Sequence, residues 1–254
     1  MLSVTKHNVT MKFADEEYPE TPYVFKPMLE GNVYEEAFLD YIRSLDLRGV
    51  YLDVGAHIGT HTIWFAMQCP STHVHAFEPL ARYAAAVRTN AELNGVSGKV
   101  TVHEIGLDDG RPGGAVHPNG TPFDTARLDD LVQDRVAVLK MDVEGMETRV
   151  LAGAGRILDR DRPEIFAEAF TAHERKELER ALQPYGYRNV GKVSVTGQPV
   201  FRFTAPPRAG LERLRPVWRR VPPSFRTAAW HLRHKLGGGV RGEARDLRRL
   251  PSEQ

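Results

Sequence analysis

The chain has 254 residues, of which 41% are hydrophobic and 26% charged, enough for the core of one substantial domain with short additions. It contains no apolar run of about 18 residues and no signal-peptide pattern at its N-terminus, so the expected location is cytoplasmic. The single cysteine, Cys69, excludes an intramolecular disulfide and a thiolate zinc site within one chain.

The formal net charge of +1 hides an asymmetry along the chain. From Ala205 onward there are twelve Lys or Arg against four Asp or Glu, so residues 205–254 carry about +8 and the rest about −7. The sequence therefore combines an acidic body with a basic tail.

Strand and helix patterns alternate through the middle of the chain. Residues 1–49 contain an extended opening and a helix predicted around Tyr34 to Leu45, and we expect them to cap the ligand-binding edge of the sheet. The first strand is predicted at Val50 to Val54, with a helix from about Thr60 to Gln68 after it. The second strand, residues 73–77, precedes a helix that stops near Asn94-Gly95.

The same alternation continues toward the C-terminus. Further strands are predicted at residues 99–107, 135–143 and 163–170, and apolar residues from Met146 to Ile157 repeat at helical spacing. Such alternation predicts an α/β fold with a doubly wound, mostly parallel sheet. After Gly186, two extended runs around "TGQP" predict an antiparallel hairpin that ends the sheet.

Residues 205–254 form an Arg-rich tail with two amphipathic helical patterns. We weigh three interpretations of it. The helices could dock on the protein's own body or on a second copy, which would give a homo-oligomer. They could make peripheral contact with a membrane through anionic lipid, or bind another acidic partner. The tail could also be disordered.

The motif "DVGAHIG", residues 53–59, lies where the first strand turns into its helix. Open α/β sheets bind ligands at this point. Gly55 would let the backbone approach a ligand closely, Gly59 would permit the tight turn into the helix, and the helix N-terminus favours an anionic group. Glu78, at the end of the second strand, is placed to accept hydrogen bonds from a ribose. Together these features indicate a nucleoside ligand.

The glycine spacing separates two classes of nucleoside ligand. A dinucleotide site usually has G-x-G-x-x-G, whose extra glycine admits the pyrophosphate, whereas this chain has G-x-x-x-G. A nicotinamide-dependent oxidoreductase is therefore the weaker alternative to an S-adenosylmethionine enzyme. A third hypothesis is a non-catalytic scaffold protein that keeps the fold, although its intact acidic motif residues argue against decay.

Five segments carry a family resemblance: "YLDVGAHIGTHT", "HAFEP", "TARLDDL", "LKMDVEGMETRVLAGA" and "PEIFAEAF". In this order and spacing they resemble the FkbM-type family of class I S-adenosylmethionine-dependent O-methyltransferases. The resemblance implies a Rossmann-like class I methyltransferase domain over residues 50–204. It also implies methyl transfer to a hydroxyl of a sugar or secondary metabolite.

The resemblance further assigns the residues that hold the cofactor. Glu78 would take the ribose, and Leu107 and Asp108 would lie near the adenine. His57 stands where the family usually has asparagine, and a polar side chain is kept there. The residues expected at the methionine end are Asp53, Gly55 and Gly59, and His57 is counted with them among the cofactor-binding residues.

Acidic residues after the fourth and fifth strands are the expected catalytic groups. Asp142 and Glu144 would face the sulfonium and the acceptor, and Glu168 ends the fifth strand; either of the first two could instead cap the following helix. An attacking hydroxyl loses its proton, so a base within hydrogen-bond reach helps. Glu147 could be a solvated surface charge. The candidate bases are Asp142, Glu144, His61 and His173.

Two questions about ligands stay open in the sequence. Asp142 and Glu168 could present oxygen ligands to Mg²⁺, which is considered but not predicted, and no metal site is assigned. The acceptor is expected to be a small molecule or glycan rather than nucleic acid, because the acidic body shows no aromatic and basic platform. Its pocket would be formed by residues 1–49 and the loop 108–125, where no pattern identifies it.

Overall fold

Runs of β-branched and apolar residues form the strands of a central sheet in the computed structural model, which describes residues 1–15, 22–194 and 199–206. The strands are β1 (Leu2–Lys6), β2 (Val9–Phe13), β3 (Gly49–Val54), β4 (Ser71–Phe77), β5 (Val100–His103), β6 (Gly106–Leu107), β7 (Ala115–Val116), β8 (Pro122–Phe123), β9 (Thr125–Ala126), β10 (Val136–Met141), β11 (Glu164–Glu168), β12 (Arg188–Lys192) and β13 (Val200–Thr204).

The helices alternate with these strands, and 3-10 turns lie at Ser97–Lys99 and Gln183–Tyr185. The predicted tail from residue 207 onward and most of the predicted "TGQP" turn lie outside the described residues. The helices are α1 (Pro22–Leu29), α2 (Glu36–Ser44), α3 (Thr60–Gln68), α4 (Ala81–Leu93), α5 (Leu128–Leu131), α6 (Glu147–Ala152), α7 (Gly155–Arg160) and α8 (Ala172–Leu182).

The central sheet has seven strands in the order β12-β13-β11-β10-β3-β4-β5. The five strands from β11 to β5 are mutually parallel, and β13 runs antiparallel to both of its neighbours. The predicted doubly wound, mostly parallel sheet that ends in an antiparallel hairpin is therefore confirmed. The carboxyl ends of the parallel strands meet at one edge, where such sheets bind ligands.

Both faces of the sheet are covered, as continuous apolar strands require. On one face, Leu52 and Ile165 belong to a core cluster with residues of α6, α7 and α8. On the other face, ring pairs connect the sheet to its helices: Phe38 of α2 lies 5.7 Å from Phe166, and Tyr51 lies 5.5 Å from Phe65 of α3. No helix among the described residues is long and apolar enough to cross a membrane.

Two predicted elements are divided in the structure. The strand predicted at 99–107 ends in the sheet at His103, and Gly106–Leu107 pairs instead with Thr125–Ala126 in a separate two-stranded sheet. The helix predicted from Met146 to Ile157 is α6 followed by α7. The break comes at Gly153, whose backbone packs so closely that a Cβ would lie 1.9 Å from the Asp108 carbonyl oxygen.

The N-terminal segment contains a hairpin that the sequence analysis described only as extended. β1 and β2 pair antiparallel, and the hairpin is tied to α4. The Asn90 side chain accepts a hydrogen bond from the Ala14 N–H at 2.7 Å, and Asn94 accepts one from the Lys12 N–H at 2.8 Å. The helix predicted around residues 34–45 is present as α2.

Candidate active site

Four predicted site residues lie side by side along the carboxyl edge of the sheet. In the pairing of β4, β3, β10 and β11, Phe77 is opposite Val54, Val54 is opposite Met141, and Met141 is opposite Ala167. The next residue of each strand therefore falls in one row across the edge, because paired parallel strands advance together. We call this the edge row, and it consists of Glu78, Gly55, Asp142 and Glu168.

Gly55 is required by the close approach of two strands within the edge row. Its φ is +78°, and a Cβ at this position would lie 1.8 Å from the Asp142 carbonyl oxygen. The Asp142 N–H donates to the Val54 carbonyl at 3.0 Å, which continues the pairing of β3 and β10 past their last residues. Any side chain at position 55 would separate the two strands where the site forms.

Glu78 is held by the two loops that flank it. Its Oε2 accepts a hydrogen bond from the His57 N–H at 2.9 Å, and its Oε1 accepts one from the Leu80 N–H at 2.9 Å. The residue is only 5% exposed. Burial raises the pKa of the Glu78 carboxyl to about 7, and the two backbone hydrogen bonds limit that rise. The carboxylate is thus oriented before any ligand arrives.

A cavity opens at the edge row, and five of the predicted site residues line it: Gly55, Glu78, Leu107, Asp142 and Glu144. Its walls also include Ile105, Met146 and two aromatic residues, Phe77 and Phe123. The cavity therefore combines carboxylates on the sheet edge with an apolar slot beside them.

A hairpin that the sequence analysis did not identify forms part of the cavity wall. β7 and β8 pair antiparallel within the turn-rich loop, and this segment contributes Val116, His117, Pro118 and Phe123 to the lining. Gly106 accommodates the Phe123 ring, since a Cβ there would lie 2.3 Å from it. Strands of two residues give no readable alternation, so the sequence offered no signal for the hairpin.

Three of the predicted cofactor residues shape the site without lining the cavity. His57, with a φ of +50°, packs its ring 4.2 Å from that of Tyr83 and contributes its backbone N–H to Glu78. Gly59, with a φ of +84°, lets α3 pack on α4, since a Cβ would lie 3.1 Å from Val87 Cγ1. The third, Asp53, is fully buried.

Asp53 forms a buried ion pair with a residue that the sequence analysis missed. Lys140 Nζ lies 3.0 Å from Asp53 Oδ1 and donates to the Gly55 carbonyl at 3.0 Å, while Thr62 Oγ1 donates to Asp53 Oδ2 at 2.6 Å. Burial opposes the charge of Lys140, but Asp53 and Asp142 raise its pKa. A lysine within the apolar run "RVAVLKMDV" was the available signal, because a buried lysine needs a partner.

Asp108, expected beside the adenine, is not among the residues that line the cavity. Its carboxylate is fully buried and accepts hydrogen bonds from Thr125 Oγ1 at 2.7 Å, the Arg149 side chain at 2.8 Å and the Gly110 N–H at 2.8 Å. It anchors the loop that carries the β7–β8 hairpin. Leu107, the residue before it, does line the cavity.

Asp142 and Glu168 form a carboxyl pair. The two side chains leave the sheet from adjacent strand positions, Glu168 is only 3% exposed, and neither of its carboxyl oxygens has a hydrogen-bond partner among the described residues. Burial and the neighbouring Asp142 raise the pKa of Glu168 to about 10. Glu168 therefore keeps its proton at neutral pH.

The loop after β10 presents one acidic side chain and buries another. Glu144 is exposed at the cavity, with a φ of +52°. Glu147 is 7% exposed, and its Oε1 accepts a hydrogen bond from the Val143 N–H at 3.1 Å. The hypothesis of a solvated Glu147 is wrong: this carboxylate fixes the loop that positions Glu144.

The N-terminal segment brings aromatic and polar side chains to the acidic end of the edge row. The Tyr34 ring stacks on His61 at 6.1 Å and lies 5.6 Å from the Tyr23 ring. Burial raises the pKa of Tyr23, and the charges of Asp142, Glu144 and Glu168 add to the shift, so these groups lie close together. Tyr23 and Tyr34 thus lie within electrostatic range of these carboxyl groups, although no sequence pattern identified them.

Neither of the two candidate histidines, His61 and His173, is placed to act as the base. His61 is buried among Tyr34, Phe38 and Phe65, burial lowers its pKa to about 4, and it does not line the cavity. The His173 side chain is 76% exposed on α8, where its Nε2 lies 3.3 Å from Glu177 Oε1. Asp142 and Glu144 are the candidate bases that line the cavity.

Asp142 and Glu168 could share a Mg²⁺ ion only if they were neighbours, and they do lie side by side in the edge row. Within residues 1–15, 22–194 and 199–206, however, no group of three or more His, Cys, Asp or Glu side chains could hold a metal ion.

Comparison with known proteins identifies the family. The sequence profile described as "Methyltransferase FkbM domain" matches residues 53–189, more than half of the chain. The chain belongs to the FkbM family of methyltransferases. Its match to 31-O-demethyl-FK506 methyltransferase FkbM of Streptomyces tacrolimicus is 29% identical and covers 56% of this chain and 74% of that protein. The chain also matches the AMB antimetabolite synthetase AmbE of Pseudomonas aeruginosa. This match is 40% identical and covers 30% of this chain and 4% of that protein.

A solved structure shares the fold of this FkbM-family chain. The crystal structure of methyltransferase FkbM from Methylobacillus flagellatus KT superposes with a TM-score of 0.51 at 19% identity. The superposition covers 62% of this chain and 43% of that one, so the chain spans less than half of that structure. The fold is that of class I methyltransferases.

The cavity fits S-adenosylmethionine, the methyl donor that the family implies. Both Glu78 oxygens are oriented by a backbone N–H and keep a free lone pair for a ribose hydroxyl. Ile105, Leu107 and Phe123 provide apolar walls for a planar base, and Gly55 leaves the strand edge open beside Asp142. Glu78 would thus hold the ribose of the donor.

Proposed function

We propose that this protein transfers a methyl group from S-adenosylmethionine to a hydroxyl of a sugar or secondary metabolite. The observation that carries the proposal is the Asp142–Glu168 pair, which lies directly beside Gly55 in the edge row. A hydroxyl nucleophile needs a proton acceptor, and Asp142 offers a carboxylate within the cavity. The Streptomyces tacrolimicus relative is named for a 31-O-demethyl substrate, which supports oxygen as the methylated atom.

Each part of the site then has a role in the reaction. The bound donor supplies an electrophilic methyl group. Glu78 and the walls at Leu107 and Phe123 hold the donor in one orientation, and much of the rate enhancement comes from such positioning. Asp142 accepts the proton of the attacking hydroxyl, and Glu144 lines the same opening.

The N-terminal cap supports a sugar-like or polyhydroxylated acceptor. Tyr23 is 53% exposed, and its ring lies beside that of Tyr34 near the acidic end of the edge row. Aromatic faces can pack on the C–H surface of a sugar ring while carboxylates accept its hydroxyl hydrogens. These side chains supply both kinds of contact.

Methyl transfer to labelled acceptors tests this function. The protein would be incubated with methyl-labelled S-adenosylmethionine and a panel of sugars and hydroxylated macrolides, each matched with an analogue lacking the reactive hydroxyl. Transfer to the hydroxylated member alone supports the proposal. Transfer to nitrogen or carbon would contradict it, and donor binding without any transfer would favour the scaffold hypothesis.

Replacement of the proposed base gives a sharper result with the acceptor found. Asp142→Asn should lower kcat by about 10²–10⁴-fold, because the proton acceptor is lost while the cavity keeps its shape. Affinity for S-adenosylhomocysteine should change by less than about threefold. Glu177→Gln on the surface of α8 is the control. Unchanged kcat in Asp142→Asn would rule Asp142 out as the base.

A further inference from the structure

The Asp142–Glu168 pair lies in unusually one-sided electrostatic surroundings. Met141 and Ala167 are opposite each other in β10 and β11, so the two carboxyl groups leave the sheet from adjacent positions. No hydrogen-bond donor among the described residues reaches either oxygen of Glu168. A carboxyl group that is 3% exposed and has no donor from the protein keeps its proton unless another positive charge approaches.

The elements packed around the Asp142–Glu168 pair contribute little positive charge. Lys140 on β10 is the cation that acts on Glu168, and it is already engaged by Asp53 and the Gly55 carbonyl. Glu35, at the start of α2, adds negative charge at Glu168, and Glu144 in the loop after β10 adds negative charge at Tyr23. The remaining titratable groups nearby are Tyr23 on α1, Tyr34 before α2 and His61 on α3.

We propose that the Asp142–Glu168 pair is a proton-linked site for an organic cation, holding one proton in the free protein and releasing it when a positively charged group enters the cavity beside Asp142. Two sources share this chemistry: the sulfonium of the methyl donor and an ammonium group on the acceptor. The inference rests on the proposed function, because it places the reacting groups at this end of the edge row.

Because of this linkage, the carboxyl base would become fully ionised only when the donor is bound. With a cation in place, both carboxyl groups are ionised, and the pair carries two negative charges. When the hydroxyl oxygen bonds to the methyl carbon and the carbon–sulfur bond breaks, the sulfur keeps the electron pair and becomes neutral. The hydroxyl proton passes to the carboxyl pair, which returns to its singly protonated state. Charge and atoms balance, and the neutral product no longer favours the doubly ionised pair.

Proton release on binding tests the inference without turnover. Sinefungin, which carries a protonated amine in place of the methyl-sulfonium centre, and neutral S-adenosylhomocysteine would each be titrated calorimetrically at pH 7.5. Buffers of different ionisation enthalpy give the number of protons released. We expect release of about one proton with sinefungin and none with S-adenosylhomocysteine. Sinefungin should also bind at least about tenfold more tightly.

Variants assign the proton to the pair. Glu168→Gln should abolish the release while both ligands still bind, and Asp142→Asn should do the same. Glu144→Gln, which removes a carboxylate at the same opening outside the pair, should retain it. Release that survives in both Glu168→Gln and Asp142→Asn would overturn the proposal.

A second pair of titrations distinguishes the sources of the cation. Release with sinefungin alone assigns the positive charge to the donor. If release occurs only when glucosamine, and not glucose, is added to protein saturated with S-adenosylhomocysteine, the charge belongs to the acceptor. If all ligands bind without proton release, the inference is wrong although the methyltransferase site stands. Failure to bind any nucleoside ligand would instead contradict the proposed function itself.

Discussion

Glu78 and Glu168 occupy equivalent places in the edge row, yet their surroundings give them opposite properties. Both follow buried strand residues at the carboxyl edge, and both are at most 5% exposed. Glu78 receives two backbone N–H donors, and its pKa is raised only to about 7. Glu168 receives none from the described backbone, and its pKa is raised to about 10 beside Asp142. Backbone donors thus favour the charged form of Glu78, and their absence favours the protonated form of Glu168.

Removing the cation that acts on both carboxyl groups should have the largest effect. Lys140→Met leaves Asp53 buried without its charged partner, so the free energy of unfolding should fall by about 3–5 kcal/mol in denaturant titrations. The double variant Asp53→Asn, Lys140→Met should recover most of this loss, because no unpaired buried charge remains. A single variant as stable as the wild type would mean that the ion pair does not hold the edge together.

Truncating Glu78 should strongly weaken ligand binding at its end of the edge row. Glu78→Ala removes the acceptor for the ribose and leaves two backbone N–H groups unpaired, so affinity for S-adenosylhomocysteine should fall by about 100-fold or more. Glu78→Gln, which keeps the shape, should lose less. Cooperative thermal unfolding checks that the fold is kept, and unchanged binding in Glu78→Ala would place the ribose elsewhere.

The two carboxyl groups should also differ in how pH affects binding. Because the Glu78 pKa is about 7, the charged form that best accepts ribose hydroxyls prevails only above that pH. Affinity for neutral S-adenosylhomocysteine should therefore rise by about three- to tenfold between pH 6 and 8. Glu78→Gln should show no such rise, and an identical pH profile in this variant would exclude Glu78 as its cause.

The last prediction concerns the stability cost of Glu168, which depends on pH. Its folded pKa of about 10 lies above the ordinary value of 4.5, so folding takes up a proton, and stability falls as pH rises from 4.5 toward 10. Glu168→Gln removes this cost. Its Tm should match the wild type near pH 4.5 and exceed it by a margin that grows steadily as the pH rises to 9. A Tm difference that does not vary with pH would contradict the raised pKa.

The sequence identified the residues at the strand ends but not how they meet. Glu78, Gly55, Asp142 and Glu168 could be placed because parallel strands end at one edge of a sheet. Their alignment in one row depends on strand register, which hydrophobic patterns do not specify between strands buried on both faces. Lys140 was missed because its partner, Asp53, is distant in sequence and adjacent only through that register.

The features that the sequence did not reveal lie in segments positioned by packing. Asp108 was placed near the adenine from its position after a strand, but the close approach of Gly153 and the Thr125 and Arg149 side chains bury its carboxylate. The aromatic groups of the cap and of the β7–β8 hairpin lie in segments without a periodic pattern. Their contributions to the site follow from tertiary contacts alone.

Calorimetric titration of the purified full-length protein with S-adenosylhomocysteine, and separately with NAD⁺, tests the central claim most directly. The edge row, with its single glycine between Glu78 and Asp142, predicts binding of S-adenosylhomocysteine with a stoichiometry of about one and no binding of NAD⁺. Binding of NAD⁺, or of neither ligand, would contradict the assignment of this cavity to the methyl donor.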